Sequence, residues 1–223
     1  MSNQIASETR ARAERSGGRS DAAIYTMVER ALKARGITGN VAVDLGCGTG
    51  VLLKTIKGAF KEYVGVDAVS YKGFPAAGKF VEADLNSAHL PIEAKRADAV
   101  FAIETIEHLE NPRALMREMV RIVSPGGWIV VTTPNQLSAL SLLTLVFKQR
   151  FSAFQDVHYP THITALLESD LLRMGSELRF KEQSIEYSRS GRIILTGARY
   201  PNVVSNVFPR LCSDNLLFIA RAP

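Results

Sequence analysis

The sequence predicts a doubly wound α/β fold, in which a mostly parallel sheet carries helices on both faces. Short apolar runs rich in β-branched residues alternate with segments whose apolar residues recur at helical spacing. Several of these runs end in glycine or an acidic residue, as strands do at the ligand-binding edge of a parallel sheet. With 223 residues, 46% of them hydrophobic and 22% charged, the chain is long enough to bury a full core.

The chain begins with a polar segment that precedes the first predicted helix. Residues 1–19 contain arginines at positions 10, 12, 15 and 19, which supply much of the net charge of +5. We expect a flexible basic segment there, and a contact with nucleic acid or anionic lipid stays open. The folded domain then covers residues 20–223. Residues 21–35 have helical apolar spacing and stop at Gly36, so they predict a helix that begins at Ser20 or Asp21.

A glycine-rich turn follows the first predicted strand. Residues 41–45 form a short apolar run that contains Asp44, and three glycines at positions 46, 48 and 50 lead into an apolar helix at 51–56. Glycine allows positive φ and lets a ligand approach the backbone closely. The spacing differs from the G-x-G-x-x-G fingerprint of nicotinamide cofactors, because the third glycine comes one residue early.

Acidic residues mark the ends of the next two predicted strands. Residues 63–67 end at Asp67, which lies 21 positions after Gly46. At that spacing a carboxylate at the end of the second strand can accept hydrogen bonds from both hydroxyls of a ribose. Residues 79–85 predict the third strand and its exit, which contains Asp84.

The rest of the chain predicts four further strands and two caps. The strands are predicted at 97–103, 128–133, 179–187 and 215–221. Asn111 and Pro112 predict the start of a helix that runs to residue 122, and a second helix is predicted from Thr164 to Met174, ending at Gly175. Residues 135–160 and 188–214 fit neither period, and we expect them to be cap insertions over the carboxyl edge of the sheet.

An acidic-histidine cluster follows the fourth predicted strand. Glu104, Glu107 and His108 are spaced i, i+3 and i+4, so they share a face on even one helical turn. We expect that face to point into the cleft beside the glycine turn. His158 and His162 flank the first cap, just before the helix that would return to the same rim.

These motifs together resemble the class I S-adenosyl-L-methionine (SAM)-dependent methyltransferases. The D-x-G-x-G-x-G pattern at 44–50 is similar to their motif I. The E-x-x-E-H cluster, with Leu-Glu-Asn-Pro at 109–112 and Ser-Pro-Gly-Gly at 124–127, resembles the ubiquinone-biosynthesis O-methyltransferase group and its small-molecule, lipid- and glycan-modifying relatives. The resemblance covers roughly residues 20–185. It implies a Rossmann-like, seven-stranded, mostly parallel sheet with an antiparallel last strand.

The resemblance also implies a cofactor site for SAM, with S-adenosyl-L-homocysteine as its product. Asp44 and the glycine backbone would hold the methionine end, Asp67 the ribose, and Asp84 with Leu85 the adenine. The residues expected to contact the cofactor are Tyr25, Asp44, Leu45, Gly46, Cys47, Gly48, Gly50, Asp67, Ala68, Asp84, Leu85 and Glu104.

Two chemical roles are open for the cluster. A hydroxyl acceptor must lose its proton during methyl transfer, and a neutral imidazole can take it, so His108 is a candidate base with Glu104 and Glu107 as catalytic partners. Small-RNA 2′-O-methyltransferases share the E-x-x-E-H pattern. By that resemblance a divalent metal ion, if one binds, would be held by Glu104, Glu107, His108 and His162. The Asn/Asp-Pro-Pro-aromatic motif of amino-group methylases is absent after the fourth strand, which favours an oxygen acceptor.

The acceptor expected from these patterns is a small-molecule, lipid-linked, quinone-like or saccharide hydroxyl. The apolar segment 137–147 is consistent with a lid, a shallow membrane contact, a homodimer face or simple burial under the second cap. An RNA 2′-O-methyltransferase and a non-catalytic SAM-binding protein are the alternatives. No signal peptide or apolar block of bilayer length is visible, and there are only two cysteines, so we expect a reduced, cytoplasmic location without a transmembrane segment.

Overall fold

The computed structural model describes residues 10–223, and in this range a seven-stranded sheet forms the centre of the protein. Its order is β3-β2-β1-β4-β5-β7-β6, and β7 runs antiparallel to both of its neighbours while the first five strands are parallel. The predicted mostly parallel sheet with an antiparallel last strand is therefore confirmed. The strands are β1 (Gly39–Leu45), β2 (Phe60–Asp67), β3 (Lys79–Glu82), β4 (Ala97–Ile103), β5 (Val123–Pro134), β6 (Lys181–Tyr187) and β7 (Asn215–Arg221).

Helices on both faces of the sheet explain why its central strands carry apolar side chains toward both faces. In β1, Val43 packs into the core on one side and Ala42 into the core on the other. Val100 and Phe101 of β4 divide in the same way, because side chains alternate between the faces of a strand. Besides a helical stretch at residues 10–16, the α-helices are α1 (Ala22–Ala34), α2 (Val51–Thr55), α3 (Pro112–Ile122), α4 (Ala139–Lys148), α5 (Glu168–Glu177) and α6 (Asn202–Val207).

The predicted starts of α1 and α3 are confirmed by their caps. The carboxylate of Asp21 accepts a hydrogen bond from the Ala23 N–H at 2.9 Å. The side chain of Asn111 accepts one from the Ala114 N–H at 3.0 Å, with Pro112 in the first turn of α3. Both side chains satisfy backbone donors that the first turn of a helix leaves free.

The predicted boundaries of α5 are wrong. The Thr164 hydroxyl donates to the carbonyl of Leu109 at 2.7 Å, so it does not cap a helix. The helix begins after Leu167, whose N–H donates to the carboxylate of Asp170 at 3.0 Å. Gly175 lies inside the helix, where a Cβ would come within 2.9 Å of the Phe218 ring. The glycine therefore marks a close approach of α5 to the sheet, and the helix continues past it.

Part of the N-terminal segment that the sequence predicts to be flexible, residues 10–19, is described by the structure. Residues 10–16 are helical. The Tyr71 hydroxyl donates to the carbonyl of Ala13, and the Thr49 N–H donates to the carbonyl of Gly18 at 2.9 Å. These contacts fix the segment against the glycine turn. Residues 1–9 of the predicted basic segment lie outside the described residues.

The two predicted caps pack against each other beyond the end of β5. The amide of Asn135, which follows β5 directly, donates to the carbonyls of Arg210 and Ser213 at 2.7 and 2.9 Å. The Ala139 N–H donates to the carbonyl of Leu211 at 2.8 Å. Residues 135–160 contain α4, and residues 188–214 contain α6. Between residues 10 and 223, no helix combines the length and the apolar character needed to cross a bilayer.

Candidate active site

A cavity of about 480 Å³ lies at the carboxyl edge of the sheet. Because β1, β2 and β4 are parallel and adjacent, their last residues Leu45, Asp67 and Ile103 all end at this edge. The cavity wall also includes the N-terminal segment and parts of both caps. Its volume falls in the usual range for small-molecule and cofactor sites, and the edge is where doubly wound folds bind ligands.

Most of the predicted cofactor residues reach this cavity, and three do not. Leu45 is fully buried in the sheet, and Gly50 precedes α2, where a Cβ would meet Pro75. The carboxylate of Asp84 accepts a hydrogen bond from the Asn86 N–H at 2.9 Å and lies off the cavity wall. The predicted residues on the wall are Tyr25, Asp44, Gly46, Cys47, Gly48, Asp67, Ala68, Leu85 and Glu104.

The glycine turn fits tightly between two other parts of the chain. Gly46 and Gly48 have φ values of +78° and +51°, which side-chain-bearing residues rarely adopt. A Cβ on Gly46 would stand 2.3 Å from the hydroxyl of Thr105, and one on Gly48 would stand 2.3 Å from the carbonyl oxygen of Gly18. Glycine at both positions is therefore required by space as well as by conformation.

Two carboxylates support the turn in different ways. Asp67 accepts a hydrogen bond from the Gly48 N–H at 2.9 Å, which joins the end of β2 to the turn. Asp44 accepts one from the Tyr63 hydroxyl at 2.6 Å through Oδ2, while its Oδ1 has no partner among the described residues. Burial raises the pKa of Asp44 to about 7. Because an unsatisfied buried acceptor is costly, Asp44 favours a ligand that donates a hydrogen bond.

Glu104 occupies a strained position where β4 ends. Its φ is +49°, and its N–H donates to the Thr132 hydroxyl at 2.9 Å. One carboxylate oxygen accepts from the side-chain amide of Asn215 at 2.7 Å, and the other has no partner within residues 10–223. Non-glycine residues in this conformation are concentrated at functional sites. No sequence motif points to Asn215, which lies 111 positions away at the start of β7.

Glu107 lies fully buried beneath the cavity. Its Oε2 accepts from the Thr133 hydroxyl at 3.2 Å, and its Oε1 has no partner in the described structure. Burial raises the pKa of Glu107 to about 8. Burial also raises the pKa of Glu104, with a further contribution from the Glu107 carboxylate. Burial therefore favours the protonated form of Glu107 at neutral pH.

His108 and His162 are held as neutral imidazoles of defined tautomer. The Nδ1 atom of His108 lies 2.8 Å from the carbonyl oxygen of Thr161, and that of His162 lies 2.8 Å from the carbonyl oxygen of Ala153. A carbonyl only accepts, so each Nδ1 carries the proton and each Nε2 keeps a lone pair. Burial lowers the pKa of His108, and it lowers that of His162 to about 4.

The cluster converges by a different geometry from the one predicted. Residues 106–108 form a single 3-10 turn, and Glu104 precedes it in a left-handed conformation, so the three side chains do not share a helical face. Ligand atoms of Glu107, His108 and His162 lie within 4.8 Å of one another, a group that does not include Glu104. One carboxylate and two imidazoles suit a transition metal better than Mg²⁺. His158 adds a third ring, stacked on His162 with the ring centroids 5.6 Å apart.

Comparisons with known proteins agree on one family. A family model described as a methyltransferase domain matches residues 19–178. The ubiquinone biosynthesis O-methyltransferase of Thiobacillus denitrificans is 30% identical over 119 residues, which are 49% of this chain and 51% of that protein. The enzyme of the same name from Psychrobacter cryohalolentis is 25% identical over 161 residues, 67% of this chain and 62% of that protein. The chain thus spans only half to two thirds of the length of these relatives.

A solved structure extends the likeness of the fold over most of the chain. A SAM-dependent methyltransferase from Archaeoglobus fulgidus superposes with a TM-score of 0.64 at 20% sequence identity. The match covers 88% of this chain and 94% of that one, so the two share the fold over most of their lengths.

Substituting Gly48 with alanine should loosen the N-terminal segment from the turn. The new methyl group would collide with the carbonyl of Gly18, so we expect Gly48→Ala to lower the free energy of unfolding by about 2–4 kcal/mol. Gly58→Ala is the matched control, because Gly58 also has positive φ but open space around it, and we expect it to cost about 1–2 kcal/mol. Urea unfolding measures both values, and trypsin should cut at Arg15 and Arg19 faster in Gly48→Ala alone. Equal unfolding energies and equal cleavage would contradict this account.

The stability of the ligand-free protein should fall as pH rises through the neutral range. Between the usual glutamate pKa of 4.5 and the folded-state pKa of about 8, folded Glu107 keeps a proton that the unfolded chain has lost. Stability then decreases by up to about 1.4 kcal/mol per pH unit for each such group. We expect Glu107→Gln to reduce this slope and the exposed control Glu93→Gln to retain it, in urea unfolding from pH 5 to 8. An unchanged slope in Glu107→Gln would show that Glu107 ionises freely.

Proposed function

Because the chain belongs to the methyltransferase-domain family of class I SAM-dependent methyltransferases, we propose that it transfers the methyl group of SAM to a hydroxyl acceptor. The single observation that carries the proposal is the cavity at the carboxyl edge. There, the unsatisfied acceptors of Asp44 and Glu104 lie on the same wall as the neutral imidazole of His108. We further propose a small-molecule, lipid-linked, quinone-like or saccharide acceptor.

The residues of the cavity fit SAM on two counts. The turn at Gly46 and Gly48 carries no side chain, so backbone groups can approach a ligand directly. Asp44 Oδ1 and Glu104 Oε1 are buried acceptors that lack a donor within the described chain, and the ammonium group of a methionine moiety supplies such donors. A bound cation would also favour the ionised carboxylates over their protonated forms. When bound, SAM supplies a methyl group on a positively charged sulfur, which is already electrophilic.

The chain has two tasks in this reaction: to align the acceptor and to remove its proton. Alignment alone can supply much of the rate enhancement of a displacement reaction. We propose that Nε2 of His108 takes the hydroxyl proton, while the hydrogen bond from Nδ1–H to the Thr161 carbonyl fixes the ring. Burial lowers the pKa of His108 and the charge of Asp67 partly offsets this, so the ring is neutral before transfer and stabilised after it.

The caps are the proposed acceptor-binding elements. Ser152, Ala153 and His158 of the first cap line the cavity, as do Arg192 and Arg199 of the second. Oxygen as the acceptor atom is supported by the relatives named as ubiquinone biosynthesis O-methyltransferases, whose similarity covers part of each chain.

A metal-assisted reaction is a second candidate, favoured by the convergence of Glu107, His108 and His162. A bound cation would lower the pKa of an acceptor hydroxyl and replace the need for a base. A metal site formed by these three residues would also support the alternative of an RNA 2′-O-methyltransferase. The basic N-terminal segment gives that alternative less support than expected, because Arg10 lies 3.6 Å from Glu82 and Arg12 lies 3.2 Å from Glu110. A non-catalytic SAM-binding protein would have no need of the neutral imidazole.

Replacing His108 should slow turnover by orders of magnitude while leaving the cofactor bound. For His108→Ala we expect kcat to fall by about 10²- to 10⁴-fold, the usual contribution of a general base. The readout is S-adenosyl-L-homocysteine formed with catechol, prenylated catechol and saccharide acceptors, and calorimetry with SAM reports cofactor affinity. The matched control is His89→Ala, because the imidazole of His89 is exposed and lies 3.6 Å from Glu118, away from the cavity.

Wild-type turnover should fall as pH drops below the lowered pKa of His108. SAM binding without wild-type turnover would instead support the binding protein.

Metal removal separates the two catalytic candidates. With His108 as the base, activity persists after dialysis against EDTA. The metal-assisted candidate predicts loss of activity and its recovery with Mn²⁺ or Zn²⁺, and it predicts that His162→Ala prevents the recovery. For the RNA alternative, retention of the protein on single-stranded RNA should weaken steeply between about 50 and 200 mM salt.

A further inference from the structure

Helix α4 buries a polar side chain and exposes apolar ones, which is the reverse of an ordinary surface helix. Its sequence, Ala-Leu-Ser-Leu-Leu-Thr-Leu-Val-Phe-Lys, is mostly apolar, yet Ser141 is its one buried residue. The Ser141 hydroxyl accepts a hydrogen bond from the Ser152 N–H at 3.2 Å, which fixes this side of the helix toward the protein. Val146 and Phe147 are 74% and 77% exposed. A helix that faces solvent normally shows the opposite pattern.

Helix α6 repeats the inversion in the second cap. Within Asn202–Val207, Ser205 is the buried residue, whereas Val203 and Val207 are 77% and 64% exposed. Phe208 follows directly and is 57% exposed. Two separate insertions therefore place serine inside and large apolar side chains outside.

The two helices form one continuous surface, which we call the α4–α6 face. Side chains from both caps line a shared groove, and the backbones are joined by the hydrogen bond from the Ala139 N–H to the Leu211 carbonyl. The second cap does not bury the last turn of α4, where residues 145–148 are exposed. A contiguous exposed apolar surface of this kind usually marks an interaction site. The face consists of Leu137, Leu142, Leu145, Val146, Phe147, Val203, Val207, Phe208 and Leu211.

The charged residues within the two segments that carry the face are all basic. Residues 135–151 and 201–211 contain Lys148, Arg150 and Arg210 and no aspartate or glutamate. Arg150 and Arg210 each contact one acidic residue outside these segments, and Lys148 is exposed. Apolar side chains with basic residues beside them are the composition of segments that lie in the interface of an anionic bilayer. A symmetric dimer through this face would instead bring the basic residues of two copies together.

We propose that the α4–α6 face docks onto the surface of an anionic lipid bilayer, with its apolar side chains in the headgroup region and no segment crossing the membrane. The same caps border the cavity, since Ser152 and Ala153 follow α4 and Arg199 precedes α6. Docking would thus bring the cavity close to a membrane-resident acceptor. The docking itself does not depend on which acceptor is methylated.

The test is co-sedimentation with vesicles of phosphatidylcholine and of phosphatidylcholine with phosphatidylglycerol at a 3:1 ratio. The wild-type protein should bind the anionic vesicles at least tenfold more tightly than the neutral ones. The double variant V146N/F147S should weaken anionic-vesicle binding at least tenfold, and K148E should weaken it roughly tenfold. Each altered residue is exposed, so thermal unfolding should match that of the wild type.

Two matched controls separate docking through the α4–α6 face from nonspecific binding to vesicles. K61E makes the same charge change at an exposed residue near the amino end of β2, on the opposite edge of the sheet from α4. L195S removes an apolar side chain that is 99% exposed and lies in neither helix. Both should bind anionic vesicles within twofold of the wild type.

Three outcomes would overturn the proposal. The first is the absence of wild-type binding to anionic vesicles, and the second is V146N/F147S binding within twofold of the wild type. The third is a wild-type dimer in light scattering that V146N/F147S converts to a monomer, which would assign the face to a second copy of the chain. Calorimetry with SAM on the same variants reports on the cofactor site separately from membrane docking. Cofactor affinity should be unchanged in all of them, so a loss of vesicle binding would not count against the proposed methyl transfer.

Discussion

The contact between the ends of β1 and β4 is the constraint on which the rest of the site depends. The Thr105 hydroxyl donates to the Leu45 carbonyl at 3.1 Å, and only a glycine at position 46 leaves space for that threonine. The contact joins the glycine turn to the acidic-histidine cluster, although 60 positions separate the two in the chain. Without this close approach, the proposed cofactor residues and the proposed base would not share one cavity.

The polar groups of the site are held at a cost to the stability of the fold. Asp44, Glu104 and Glu107 each keep one carboxylate oxygen without a partner among residues 10–223, and Glu104 is also in a left-handed conformation. Each such feature costs on the order of 1–3 kcal/mol. The fully buried side chains on both faces of the sheet offset this cost, which is the usual relation between an active site and its scaffold.

The two caps connect the interior of the site to the outer surface. Ser141 on the inner side of α4 holds the chain that continues to Ala153, and the Ala153 carbonyl in turn orients His162. The opposite side of the same helix carries Phe147 into solvent. The exposed side of α4 and the cavity are therefore connected through one helix and the turn that follows it.

The sequence by itself determined the elements whose signals are local. Strands β4 and β7, the caps of α1 and α3, and the glycine turn follow from periodicity and from residue types that act within a few positions. Spacing grouped Glu104, Glu107 and His108, and the family resemblance added His162; the structure brings ligand atoms of Glu107, His108 and His162 together without those of Glu104. Only the tertiary structure showed that Asn215 donates to Glu104 and Tyr63 donates to Asp44. It alone also showed the close approach of Gly18 to Gly48 and the exposure of the apolar side chains of α4. These contacts join distant parts of the chain, so their geometry depends on how the whole sheet and its caps assemble, which no local pattern encodes.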